Sequence, residues 1–376
     1  MMEDGEAKKQ KRLELENKFG FTLENLNDAE IFFSTKNITF RHKEKPSFTF
    51  IDLFAGIGGF RLAMQANGGE CVFSSEWDDA AKQTYYENYG EVPFGDITKD
   101  ETKALIPEHF DVLCAGFPCQ AFSIAGYQKG FNDVRGTLFF DVADILEKHR
   151  PKAFYLENVK NLKSHDEGNT FSIIMDTLQN KLGYIVDSKI MNPCEYANVP
   201  QNRERIFIIG FDPKQVKIPS TNLKNNIFQF NFPEKTKLTK NIHTIIDDSI
   251  DDEKLFYKEG HLYFNKMKDV ITNPDTVYQW RRVYIRENKN GICPTLTANM
   301  GEGGHNVPII LTSKGIRKFT PEECLGFQGF PVNNGFHYPS TIAQSKKYKQ
   351  AGNSVTEPLV EKIASKIIQF AKENEK

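Results

Sequence analysis

The chain has 376 residues, room for about two domains. Its 39% hydrophobic and 26% charged residues exclude a fibrous or wholly disordered protein. With 48 Lys+Arg against 50 Asp+Glu the net charge is −2, which excludes a generally basic coat; a nucleic-acid site would have to be a local patch.

In chain order, residues 1–47 are polar and lack a clean apolar period, with one surface helix predicted near residues 11–21. At residue 48 the texture changes. FTFIDLF (48–54) reads as a buried strand, AGIGG (55–59) as a tight turn and FRLAMQANG (60–68) as a helix. The alternation continues with strand CVFSSEW (71–77), a helix over 80–89 and a short strand over 92–97. Strand FDVLCAG (110–116) runs into the loop GFPCQAFS (116–123). A helix over 136–149, strand KAFYLENV (152–159), a helix over 171–182 and strand RIFIIGF (205–211) follow. Strands alternating with helices predict an α/β fold with a parallel sheet covered on both faces. Beyond residue 211 the apolar runs shorten and Asn, Lys and Gly accumulate, which predicts a second, smaller and irregular domain. A final helix over 357–370 has an apolar stripe that must return to the first domain. The predicted organisation is an extension over 1–47, a first domain over 48–228, a second over 229–335 and a returning segment over 336–376.

The opening residues carry no apolar leader, and no run approaches the ~18 to 20 residues of a membrane span. The six cysteines form no CxxC pair, so neither a zinc knuckle nor a dithiol site is expected, and a reducing cytoplasm is.

Four places carry candidate chemistry. Gly56, Gly58 and Gly59 lie where the first strand hands over to the first helix, and Glu76 follows 20 residues after Gly56 at the next strand end, placed for a ribose diol. GxGG is not the usual dinucleotide spacing, which argues against NAD. Cys119 stands in a loop at a strand's carboxyl end, as a nucleophile or a space-filler. Glu157 ends an apolar strand, where a carboxylate is costly unless paired or used. Arg203 and Arg205, two apart, share a face of extended chain, either for a base, phosphate or carboxylate or for a salt bridge with an acid.

Assembled, DLFAGIGGF (52–60), GFPCQAFS (116–123), ENV (157–159), QNRER (201–205), RKFTPEE (317–323) and GNSV (352–355) resemble the DNA cytosine-5 methyltransferase family, most closely its bacterial restriction-modification members. The resemblance covers nearly all of 48–370. It implies a Rossmann-like S-adenosylmethionine-dependent fold with a mostly parallel sheet plus a smaller target-recognition domain. It implies methyl transfer to C5 of a flipped-out cytosine in a short specific sequence of double-stranded DNA, protecting it from a cognate restriction enzyme. It implies a catalytic set of Cys119, Glu157 and Arg205, with Arg203 nearby. For S-adenosylmethionine it implies Phe54, Gly56, Gly58, Gly59, Glu76, Trp77, Asp96, Ile97, Pro118, Asn353 and Val355. For DNA it implies Ser123, Gln279, Arg281, Arg282, Arg286 and Thr295, the arginines interleaved with Trp280 and Tyr284. No metal and no membrane are expected, and the protein is expected to be a monomer in the bacterial cytoplasm. An RNA cytosine-5 methyltransferase on the same scaffold is the rival; the long recognition domain favours DNA.

Overall fold

Strand β1 (Phe48–Leu53) sets the frame, because Phe50, Ile51 and Leu53 are fully buried and its two faces must both be covered. The structure, a computed structural model, describes residues 40, 44–118, 138–225, 227–281, 283–288, 290–301 and 306–376. The helix predicted near 11–21, Cys119, Ser123 and Arg282 lie outside the described residues.

The elements that follow are α1 (Gly59–Ala66), β2 (Gly69–Ser75), α2 (Asp79–Tyr89), α3 (Asp100–Lys103), β3 (Val112–Gly116), α4 (Leu138–His149), β4 (Ala153–Val159), α5 (Asn169–Asp176), β5 (Ile185–Met191), α6 (Pro193–Tyr196) and β6 (Arg205–Phe211). Six strands form one sheet in the order β2-β1-β3-β4-β6-β5. β2, β1, β3 and β4 are parallel, whereas β6 runs antiparallel to β4. The sheet is therefore mixed. After β4 the chain travels to the sheet edge as β5 and returns to fill the slot beside β4, and a returning strand in that slot is reversed. The segment expected as a strand over 92–97 pairs only through a single bridge, Ser75 with Phe94.

The chain divides into two compact units. Unit 1 comprises 1–190, 205–232 and 363–376; unit 2 comprises 191–204 and 233–362. These divisions differ from the sequence-based ones at 191–204, 229–232 and 336–362. In unit 1, helix α10 (Glu357–Glu373) buries Ile363, Ala364 and Ile367 from its unit-1 portion, and Phe370 lies 4.6 Å from Phe211. Phe228 and Phe230 complete that aromatic cluster.

A short antiparallel pair, β7 (Leu223–Lys224) with β8 (Ile227–Phe228), also belongs to unit 1. Unit 2 contains a four-stranded antiparallel sheet of β9 (Val277–Arg281), β10 (Tyr284–Asn288), β11 (Ile309–Thr312) and β12 (Gly315–Lys318), ordered β10-β9-β11-β12. Met267, Ile271, Tyr278, Ile309 and Ile316 pack beneath it. Helix α8, here numbered after the short α7 (Phe264–Lys268), spans Pro321–Phe327 and starts with a capping box: Thr320 accepts from Glu323 N while Glu323 accepts from Thr320 N. Helix α9 (Gln344–Asn353) leads into the GNSV segment. Among the described residues no helix is long and apolar enough to cross a membrane.

Candidate active site

The carboxyl ends of β1, β2, β3 and β4 lie along one sheet edge, where parallel sheets place ligands. At the end of β1, Phe54 takes a φ of 54° and Gly56 of 56°. A left-handed phenylalanine is strained by roughly 1–2 kcal/mol, which marks a turn fixed by its surroundings. Gly58 (φ 84°) caps α1 and can only be glycine: a Cβ would collide with the Tyr89 ring, whose hydroxyl donates to Gly58 O at 2.7 Å. Gly59 opens α1 and is buried.

Glu76 anchors this turn. Its carboxylate accepts from Gly56 N (2.7 Å), Trp77 N (2.9 Å) and Asp78 N (2.8 Å). Burial pushes its pKa up, and the three amides oppose that rise. Trp77 beside it is 75% exposed, an indole face open to a planar ligand. Asp96 and Ile97 are carried to the end of β2 because Glu76 N donates to Phe94 O (2.9 Å) and Ser75 Oγ donates to Gly95 O (2.6 Å). The cradle of left-handed turn, buried carboxylate and open indole fits the ribose and adenine of an adenosyl cofactor. Among the described residues, no group of three or more His, Cys, Asp or Glu could hold a metal ion.

At the end of β4, Glu157 Oε1 meets Arg205 Nε at 3.0 Å, the two side chains being 11% and 15% exposed. The antiparallel register pairs Glu157 with Phe207 and Val159 with Arg205, so the reversed β6 brings the arginine back onto the carboxylate. Glu157 Oε2 lies 3.7 Å from where a Gly116 Cβ would stand, beside the strand that leads to Cys119. Asn158, a residue the motif reading left without a role, donates from Nδ2 to Phe117 O at 2.7 Å and ties the end of β3 to β4. Pro118, the next described residue, is exposed. The described cysteines are poor thiolate candidates: burial raises the Cys71 pKa to about 12 and raises those of Cys114, Cys293 and Cys324 well above the ordinary thiol value.

Arg203 behaves differently from its expected neighbourly role beside Arg205. It belongs to unit 2, is 3% exposed, and donates to Leu296 O (2.6 Å), Gly352 O (3.1 Å) and Ser354 O (2.6 Å). It fastens the segment around Leu296 to the GNSV segment. Gln201 works beside it, donating to Phe327 O (2.5 Å) and Gln328 Oε1 (3.1 Å). In GNSV itself, Asn353 is exposed and Val355 buried, both in unit 2.

Unit 2 also holds a cavity of about 620 Å³ whose lining includes Gln279, Arg281, Arg286, Thr295 and Thr297. Gln279 stands in β9 directly opposite Arg286 in β10, and Arg281 Nη2 donates to Gln279 Oε1 at 3.1 Å. Thr295 Oγ1 donates to Asn202 O at 2.6 Å. The structure thus brings together Gln279, Arg281, Arg286 and Thr295.

A Rossmann-like sheet with a glycine turn and a buried acid at the next strand end defines a nucleotide-cofactor enzyme of the S-adenosylmethionine-dependent methyltransferase class. The C-5 cytosine-specific DNA methylase family matches residues 48–369, so the chain belongs to that family. It is 44% identical over 336 residues to the type II methyltransferase M.HpaII of Haemophilus parainfluenzae, covering 86% of this chain and 90% of that protein. It is 43% identical over 319 residues to M.Bsp6I of Bacillus sp. (strain RFL6), covering 84% and 96%. M.HhaI of Haemophilus parahaemolyticus is 41% identical over 338 residues, covering 88% and 97%. The fold is similar to the crystal structure of S. pombe Dnmt2 methyltransferase, with a TM-score of 0.61 at 16% identity over 86% of this chain and 98% of that one. The chain is an S-adenosylmethionine-dependent enzyme that methylates C5 of a flipped-out cytosine in double-stranded DNA.

Proposed function

We propose that Cys119 is the nucleophile, that Glu157 and Arg205 hold the target base, and that the β1–β2 edge holds the cofactor. The 3.0 Å Glu157–Arg205 pair at the root of the cysteine loop carries this reading. Cytosine C5 is a poor nucleophile. Addition of the Cys119 thiolate to C6 forms a carbon–sulfur bond and moves the ring electrons to C5. Glu157 meets the charge that collects at N3 by hydrogen bond or proton, and Arg205 binds O2. When bound, S-adenosylmethionine supplies an electrophilic methyl to the activated C5. Loss of the C5 proton and expulsion of the Cys119 thiolate restore the aromatic ring. A stacked base cannot be approached on both faces, so the cytosine is flipped out first. The sequence SIAGYQKGFNDVRG (123–136), which lies outside the described residues, resembles the family's loop that closes over the base.

Phe54, Gly56, Gly58, Gly59, Glu76, Trp77, Asp96, Ile97 and Pro118 are the proposed cofactor residues; Asn353 and Val355 are proposed on the resemblance alone. Asn158 joins the site as a positioning residue. We assign Arg203 to the same positioning role, because three carbonyls occupy its guanidinium. The unit-2 cavity is the proposed DNA-reading face, supported by two arginines beside a buried glutamine. Ser123 and Arg282 are proposed contacts on the resemblance alone. A cognate restriction enzyme completes the proposal, supported by the type II relatives; a monomeric state and a bacterial cytoplasmic location are proposed with it on the resemblance alone.

Mass analysis of nucleosides from duplex DNA incubated with the protein and S-adenosylmethionine should show 5-methylcytosine. Loss of that product in Cys119→Ser, Glu157→Gln and Arg205→Ala, with DNA binding retained in Cys119→Ser, supports the assignment. A Cys119→Ser variant with full activity contradicts it.

A further inference from the structure

The matched family span begins at residue 48, yet Phe40 from the preceding extension reaches the back of the cofactor turn. Gln65 Nε2 in α1 donates to Phe40 O at 2.9 Å, and the Phe40 ring lies 6.3 Å from that of Tyr89, tilted by 58°. Tyr89 is the residue that holds Gly58, through its hydroxyl and through ring contact. Behind it sits Arg61, 1% exposed, with its guanidinium 4.9 Å from the Tyr89 ring centre and 5.3 Å from that of Tyr85. Arg61 in turn donates to Gln65 Oε1 (2.6 Å) and to Glu91 (2.6 Å). Phe40 therefore touches both ends of one assembly: Gln65, which orients Arg61, and Tyr89, which orients the glycine turn.

A buried arginine needs its partners fixed, because it is costly to leave any donor without one. A left-handed glycine with no space for a Cβ likewise needs its neighbour fixed, because the turn's shape depends on the Tyr89 ring staying in place. We propose that Phe40 is a positioning residue for the cofactor turn and so raises the enzyme's affinity for S-adenosylmethionine. The proposal rests on the reading of the glycine turn as the cofactor site. It gives Phe40 a task within the reaction, exerted through Gln65, Tyr89 and Gly58.

The test uses the full-length chain and two readouts: calorimetric binding of S-adenosylhomocysteine, and steady-state kinetics with each substrate varied. Phe40→Ala removes an aromatic contact, so the dissociation constant and the KM for S-adenosylmethionine should rise about two- to ten-fold. The kcat and the KM for DNA should stay at the wild-type value, and Phe40→Tyr, which keeps the ring, should restore cofactor binding. Tyr89→Phe, which removes the hydroxyl bond to Gly58, should shift the same two quantities. The double variant should fall short of the product of the two single effects, since both act on one turn. Unchanged cofactor binding in Phe40→Ala overturns the proposal. So does an equal loss in kcat and in both KM values with a lowered melting temperature, the signature of general destabilisation. Glu76→Ala separates the proposal from the reading beneath it. If Glu76→Ala weakens cofactor binding and Phe40→Ala does not, only the role of Phe40 fails; if neither does, the turn is not the cofactor site.

Discussion

Arg203 and Arg205 stand two residues apart and belong to different units, and their surroundings show two different uses of charge. Arg205 in unit 1 meets Glu157 at a strand end, both groups keeping some exposure beside the loop that carries Cys119. Arg203 in unit 2 is closed off by backbone carbonyls from two segments far apart in sequence. Arg317 repeats the second pattern: fully buried, it is bidentate to Glu323 at 2.8 and 2.6 Å and reaches Asp247 O at 2.8 Å. Arg205 places its charge at an open edge, where it can act on a ligand. Arg203 and Arg317 place theirs inside, where it joins irregular segments that lack the long strands of the first sheet.

The sharpest way to break that comparison is at Glu157. Glu157→Gln should lower kcat by about 10²–10⁴-fold, the range for loss of a positioned acid, with little change in unfolding free energy. Steady-state kinetics beside urea unfolding checks both halves. A large stability loss with modest kinetic loss would make the pair structural.

Glu357 tests the buried side. It opens α10, its backbone N–H donates to Gln328 O, and burial with repulsion from Glu361 raises its pKa from 4.5 to about 8. Because the folded value is raised, the contribution to stability is fully present below about pH 4.5 and is lost as pH rises through 8, since over that window the unfolded chain gives up its proton before the folded one. Glu357→Gln should remove that slope and leave the protein about 3–5 kcal/mol more stable than wild type at pH 8 or above. Unfolding curves between pH 5 and 9 decide it; parallel curves for the two proteins would contradict the burial argument.

Arg203→Lys should lower stability by about 2–4 kcal/mol, since an ammonium cannot serve three separated carbonyls. The same change at Arg205 should leave stability almost untouched while lowering kcat. Chemical denaturation of the two variants in parallel separates them, and equal effects in both would erase the distinction.

The smallest expected effect concerns the cavity of unit 2. Arg286→Ala should cost about 1–3 kcal/mol at one base position if it reads a base, and a uniform amount if it meets phosphate. Methylation rates across all single-base variants of the target, at fixed salt, give the answer.

How much of this was legible depends on how local the cause is. The strand–turn–helix from Phe48 to Ala66 depends on neighbours in sequence, and the reading of 48–54, 55–59 and 60–68 lies within one or two residues of β1, the turn and α1. Glu157 and Arg205 were legible because each stands at the boundary of an apolar run. β5 escaped notice because Asp187, Ser188 and Lys189 interrupt its apolar positions, as an edge strand tolerates. The reversal of β6 was hidden for the same reason: without β5 the alternation looked continuous. The shared-face argument for Arg203 and Arg205 required extended strand through both residues, but β6 begins only at Arg205. The unit-2 sheet joins four- and five-residue strands from distant segments, β9 with β11 among them, and no local period announces such pairing.

The most direct test of the central claim is covalent capture. Duplex DNA with 5-fluorocytosine at the target position keeps a fluorine where the C5 proton would leave, so the enzyme cannot complete elimination after methyl transfer. In the presence of S-adenosylmethionine the protein should form a stable adduct, and peptide mapping should place the modified base on Cys119. No adduct, or an adduct carried by Cys71, Cys114 or Cys194, would contradict the account.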